Sequence, residues 1–175
     1  LCLAQLGRGE TPDRAPDAFV QNLFDYYAAH FDKHLQEALE YRGPAVLHEV
    51  LAAFLAPGAE LDVLDLGCGT GLCGAVLKPY ARRLAGVDIS PGMVEQARRR
   101  GIFDELEVGE VTQYLRERPE TFDLAAAGDV LVYLGDLAPA LAAATRALRP
   151  GGLFAFTVER RDEPGFALTD AMRYA

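Results

Sequence analysis

The sequence predicts an α/β fold: a parallel sheet with helices on both faces, preceded by an N-terminal helical cap. Three observations predict it. From residue 60 onward, short apolar runs alternate with helix-length segments, the order that gives parallel strands joined by right-handed crossovers. The first of these runs leads straight into a glycine cluster, "LDVLDLGCGTGLCG" at 61–74. Before residue 60 the apolar groups fall at helical spacing instead.

Residues 1–16, "LCLAQLGRGETPDRAP", read as the last turn of a helix followed by a polar linker. Phe19, Val20, Leu23, Phe24, Tyr27, Phe31, Leu35 and Leu39 then predict a helix over 17–40, with Asp17 as its N-cap. Gly43 and Pro44 interrupt the pattern, and "AVLHEVLAAFLA" forms a second helix closed by Pro57 and Gly58. The cap therefore spans 17–57 and the sheet domain 58–175.

"ELDVLDLG" is the first strand, with a helix near 71–78 after the glycine loop. "RRLAGVDIS" is the second. Ser90 and Pro91 open the next helix, where proline suits the first turn, and Gly101 ends it. "LEVGE" is a brief third strand before the helix "VTQYLRER". "TFDLAAAG" is the fourth, "DLAPALAAATRAL" a helix, and "GLFAFTVE" the fifth strand. The remaining "RRDEPGFALTDAMRYA" carries no further strand pattern, so the sheet is expected to be truncated after the fifth strand.

The net charge of −9 argues against nucleic acid as a partner, because phosphate binding draws on clustered Lys and Arg. The first sixty residues hold 9 acidic and 4 basic side chains, a solvated acidic surface. The three cysteines form no C-x-x-C pattern and read as small fillers in a reducing cytoplasm. No stretch reaches the roughly 20 apolar residues of a membrane span.

The glycine loop admits two readings. Gly69-x-Gly71-x-x-Gly74 would cradle the pyrophosphate of NAD in an oxidoreductase. Asp65-x-Gly67-x-Gly69-x-Gly71 would hold S-adenosylmethionine. Asp88, ending the second strand, suits the ribose hydroxyls of either cofactor. Asp65, however, would stand against a pyrophosphate's charge, whereas it complements an ammonium and a sulfonium. Glu110, ending the third strand, can accept from an adenine amino group. Gly74 lies three residues into the helix, where a small residue also serves plain helix–strand packing.

Taken in order, "VLDLGCGTG", "LAGVDISPGMVEQAR", "GE", "FDLAAAGDVLVYLGDL" and "LRPGGLFAFTVE" resemble the successive motifs of class I S-adenosylmethionine-dependent methyltransferases. The lead "NLFDYYAAHFDKHLQEALEYRGP" resembles the cap of bacterial members that carry tetratricopeptide repeats upstream. The first resemblance implies a Rossmann-like sheet, S-adenosylmethionine as cofactor, and a small-molecule or protein methyl acceptor. The second implies protein partners reached through the repeats. A non-catalytic scaffold module stands as the reading from another class.

The resemblance also implies site residues. Asp65, Gly67, Cys68, Gly69 and Gly71 shape the pocket for the methionine end. Asp88 holds the ribose, Ile89 packs on the adenine, and Met93 lies nearby or simply fills core. Glu110 and the Val111 amide read the adenine edge, unless Glu110 serves only the helix that follows. Asp129 contacts the cofactor, orients a substrate or caps the next short helix, with Tyr133 about one turn on. Tyr27, Phe31 and Arg42 are the lid candidates, Arg42 pairing with the cofactor carboxylate. His30, His34 and Asp129 are candidate proton acceptors for an oxygen or nitrogen nucleophile. The two histidines lack a third ligand, so no metal is expected. "AAAGDVLVY" differs from the Asn/Asp-Pro-Pro-Tyr of amino-directed nucleic-acid methyltransferases, and no Pro-Cys nucleophile is present.

Overall fold

The computed structural model describes residues 11–32 and 42–175. The expected repeat tail at 1–10, Cys2, His34 and the second half of the predicted first helix lie outside the described residues. Five strands form one parallel sheet: β1 Leu61–Leu66, β2 Ala81–Asp88, β3 Glu105–Val108, β4 Phe122–Ala127 and β5 Leu148–Phe156. Their spatial order is β3-β2-β1-β4-β5, so the chain winds outward from β1 in two directions. The helices are α1 Asp17–Tyr27, α2 Gly43–Ala52, α3 Leu72–Leu77, α4 Pro91–Arg100, α5 Val111–Arg116 and α6 Ala138–Ala147.

Strand alternation divides the core into two layers. Val63, Leu84, Leu124 and Ala126 face Leu47 and Leu51 of α2 and Leu77 of α3. Leu64, Leu66, Ala85, Val87, Ala125 and Ala127 face Tyr114 and Leu115 of α5 and the alanines of α6. The run Ala125–Ala127 presents methyl groups to both layers, so α6 approaches the sheet on Ala140, Ala143, Ala144 and Ala147. Each fully buried leucine here contributes about 1.5–3 kcal/mol.

The structure adjusts several expectations. Strand β5 starts at Leu148 rather than 152, because Leu148 pairs with Phe122 and a register shift follows before Leu124 meets Leu153. Asp17 is not the N-cap of α1. Pro16 occupies that position, and Asp17 is the first helical residue, ion-paired to Arg14. Its charge there complements the helix dipole. The predicted continuous helix breaks after Tyr27, where the His30 amide turns back to the Tyr27 carbonyl at 3.0 Å.

The expected polar linker is instead a pinned strap. The Ala15 amide donates to Tyr133 O at 2.9 Å, the Asp136 amide to Asp13 O at 2.8 Å, and the Tyr174 hydroxyl to Pro12 O at 2.8 Å. Backbone groups at 12–15 thus find partners on the chain after β4 and on the C-terminal tail, which composition alone does not encode. The tail itself forms only an isolated bridge, Leu168 to Tyr174. No helix among the described residues is long and apolar enough to cross a membrane.

Candidate functional site

Where β1 and β4 end and their crossovers diverge to opposite sides, the fold leaves a crevice at the carboxyl edge of the sheet, the usual ligand position in open α/β folds. A cavity of about 480 Å³ lies there. That is within the roughly 300–1,000 Å³ of small-molecule sites.

The glycine loop forms its floor. Gly67 has φ 59° and a Cβ there would sit 2.3 Å from Val130, so the chain can turn back only as glycine. Gly71 has φ 88° and leads into α3, with Phe103 and Arg100 against it. Gly74 does not serve helix–strand packing as expected. The Phe103 ring, from the connection between α4 and β3, occupies the space its side chain would need.

Asp88 ties the loop to β2. Its Oδ2 accepts from the Gly69 amide at 2.9 Å and its Oδ1 from the Ser90 amide at 2.8 Å. Burial pushes its carboxyl up, the Ser90 and Gly69 amides pull the other way, and the balance is upward. Each oxygen keeps a lone pair for a further donor. Ser90 caps α4 by accepting from the Met93 amide at 3.1 Å. Ile89, Met93 and Val111 form the apolar wall beside Asp88. Met93 is also fully buried, so it serves core and cavity together.

Asp65 lies under this floor, 1% exposed, and neither carboxylate oxygen has a hydrogen-bond partner among the described residues. Burial pushes its pKa up to about 8, and the neighbouring Asp88 adds to that. The buried Cys68 thiol, on the cavity wall, is likewise pushed up by burial and by the two aspartates.

Glu110 lines the cavity and also caps α5, accepting from the amides of Thr112 at 2.9 Å and Gln113 at 2.8 Å. Arg14 of the strap stands 3.4 Å from it. Asp129 does not cap the 3-10 turn Leu131–Tyr133, whose N-cap position is Val130. Its backbone takes φ 56°, which Asp tolerates better than most residues. Its amide donates to Thr157 Oγ1 at 2.8 Å, and its Oδ1 accepts from that hydroxyl at 3.1 Å and from Arg173 at 3.5 Å. Arg173 also meets Glu159 at 2.8 Å. Tyr133 lines the same end of the cavity.

The lid candidates divide. Phe31 lines the cavity, together with Val20 and Phe24 of α1. Phe24 stands edge-on to Tyr133 at 5.5 Å and to Phe31 at 6.1 Å. Tyr27 is 39% exposed and outside the cavity lining. Arg42 is away from the site as well. The chain re-enters a helix at Gly43, and Arg42, 74% exposed in its side chain, faces Glu49 of that helix at 3.8 Å. His30 is exposed on the turn after α1 and does not line the cavity.

Two acids escaped the sequence reading. Asp25 accepts from Ser90 Oγ at 2.5 Å and from the Gly92 amide at 3.0 Å. Asp32 accepts from Thr70 Oγ1 and from Arg100. Together they fasten the N-terminal cap to the glycine loop and to α4. The only signal in the sequence is that both acids interrupt an apolar helix pattern seven residues apart.

Residues 64–156, more than half of the chain, match the family described as "Methyltransferase domain". The chain belongs to that family. Among relatives of this methyltransferase domain, a ubiquinone biosynthesis O-methyltransferase of Xylella fastidiosa is 30% identical over 158 residues, covering 85% of this chain and 63% of that protein. Nodulation protein S of Rhizobium tropici is 34% identical over 114 residues, 62% of this chain and 47% of that protein. In structure, an S-adenosylmethionine-dependent methyltransferase of Mesorhizobium loti matches with a TM-score of 0.55 and 31% identity, over 72% of this chain and 61% of that one. The methyltransferase domain thus spans about six-tenths of the first relative's length. The cofactor of this class I family is S-adenosylmethionine.

The residues present fit that cofactor. Among the described residues the buried Asp65 oxygens have no hydrogen-bond partner, a defect that an ammonium over the loop would relieve. A pyrophosphate would aggravate it. Asp88 offers free lone pairs beside a loop in which a Cβ at Gly67 would collide with Val130.

Proposed function

We propose that this domain transfers a methyl group from S-adenosylmethionine to an oxygen nucleophile of a small molecule. The observation that carries the reading is the pairing of Asp88 with the Gly69 amide at the floor of the cavity. The O-methyltransferase relative, aligned over most of this chain, supports oxygen as the receiving atom.

When bound, the cofactor supplies a methyl group on a positively charged sulfur, activated for displacement. The chain's own work is alignment and exclusion of water. Asp88 accepts from the ribose hydroxyls, and the glycine loop lets backbone approach the amino-acid end. Val20, Phe24 and Phe31 cover the cavity and keep water from the reacting atoms. Asp129, held by Thr157 and Arg173, stands at the acceptor end to take the proton of a hydroxyl. The upstream repeat resemblance further supports partners recruited by the whole protein in the cytoplasm.

The test is calorimetric titration with S-adenosylhomocysteine, NAD serving as control, followed by transfer of labelled methyl to a panel of hydroxylated small molecules. Binding of S-adenosylhomocysteine alone and label on an oxygen are expected. Binding of NAD alone sinks the reading.

A further inference from the structure

We propose that Asp65 carries a proton in the ligand-free chain and releases it to solvent when the ammonium-bearing end of the cofactor settles on the glycine loop. The inference rests on the cofactor reading above and adds a proton to its binding equilibrium.

The geometry leads there in three steps. Asp65 is the penultimate residue of β1, with Gly86 of β2 and Ala126 of β4 paired on either side, so its position is fixed by the middle of the sheet. It is 1% exposed, and among the described residues both of its oxygens lack hydrogen-bond partners. The Gly74 amide of α3 pulls weakly toward the ionised form without reaching hydrogen-bond geometry.

The titratable groups that face it are Asp88 at the end of β2 and the Cys68 thiol on the loop, with Cys73 of α3 behind that thiol. None is a cation. An isolated carboxylate in such surroundings takes up a proton rather than bear the desolvation penalty. Asp88 differs in having two amide donors that pull against its burial and a place on the cavity wall.

An ammonium arriving above the loop reverses the balance, since an opposite charge a few ångströms away favours the ionised acid. The carboxyl O–H bond breaks, the electron pair stays on oxygen, and the proton passes to buffer. Charge is conserved in the site: a neutral acid becomes the counter-ion of the incoming cation. Binding therefore tightens as pH rises toward the point where Asp65 ionises unaided.

The experiment is calorimetry of the full chain at pH 6.5 in buffers of different ionisation enthalpy, where the slope of apparent enthalpy counts protons released. Two probes are used. S-adenosylhomocysteine carries the ammonium, whereas 5′-methylthioadenosine keeps the adenosine and the thioether without it. The expected result is close to one proton released with the first and none with the second. Affinity for S-adenosylhomocysteine should rise about tenfold per pH unit between roughly 5.5 and 7.5. Asp65→Asn should bind without proton release and with a flat pH profile over the same range. S-adenosylhomocysteine bound by the native chain with no proton released overturns the proposal. So does release that persists in Asp65→Asn, or equal release with both probes. Failure of both probes to bind is a different result: it removes the cofactor reading itself, and this proposal with it.

Discussion

Asp25 of the N-terminal cap and Ser90 at the start of α4 are joined by a 2.5 Å hydrogen bond across 65 residues of sequence. Through the Ser90 amide that contact reaches Asp88, and through Asp88 the glycine loop at Gly69. The cap is thus fastened to Asp88 and to the glycine loop, the two groups that shape the cavity floor. The cap also supplies Val20, Phe24 and Phe31 to the cavity wall, so this contact is expected to slow cofactor exchange.

Asp25→Ala removes the acceptor for both Ser90 Oγ and the Gly92 amide. Each such bond contributes about 0.5–1.5 kcal/mol, reduced here because Asp25 is solvent-exposed. The expected outcome is several-fold faster release of S-adenosylhomocysteine in stopped-flow measurements, with little change in melting temperature. Unchanged release would show that the cap does not gate the site.

Asp88→Asn keeps the size of the side chain and gives up one acceptor oxygen. Hydrogen bonds to charged groups contribute about 1.5–3 kcal/mol, so affinity should fall at least about tenfold. With Asp88 on the ribose, as proposed, S-adenosylhomocysteine and 5′-methylthioadenosine should weaken by similar factors. A loss confined to S-adenosylhomocysteine would relocate Asp88 to the amino-acid end.

Gly71→Ala forces an L residue to φ 88° and brings Cβ to 2.9 Å from the Phe103 ring and 3.0 Å from Arg100. The left-handed conformation alone costs about 1–2 kcal/mol. For a chain of this size, about 2 kcal/mol lowers the melting temperature by roughly 4–8 °C. Differential scanning calorimetry checks this, and a native-like melting point would mean that the loop relaxes freely.

How far the sequence carried the reading depends on the range of each interaction. The strands and the loop were legible because their causes are local: apolar runs, glycines at φ the other residues avoid, and Ser90-Pro91 opening a helix. Asp65 and Asp88 could be singled out for the same reason, one next to the end of its strand and the other at it. Arg42, expected at the cofactor carboxylate, instead faces Glu49, a pairing that no local pattern marks. Asp25, Asp32, Thr157 and Arg173 were missed because their partners lie 28 to 68 residues away and no local pattern marks them. Glu110 shows a middle case. Its position was foreseen, but the structure gives the same carboxylate both a capping role and a place on the cavity wall.

The burial of Asp65 also governs the stability of the ligand-free chain. Its folded pKa is raised to about 8 from an ordinary value of 3.8, chiefly by burial and then by Asp88. A raised acid pKa means that the folded state binds the proton more tightly than the unfolded state does. Below about pH 4 both states are protonated and Asp65 costs nothing. From there upward the unfolded chain gains by ionising while the folded chain does not, so stability falls with pH until about 8 and then levels off. Asp65→Asn cannot ionise in either state and lacks this penalty. Its stability relative to the native chain should therefore grow steadily between about pH 4 and pH 8, reaching a few kcal/mol at neutral pH. Urea denaturation of both proteins at pH 5, 6, 7 and 8 measures the difference directly. A constant difference across that range would place the Asp65 carboxylate in contact with a donor or with water, and would remove the electrostatic defect that the cofactor's ammonium is proposed to relieve.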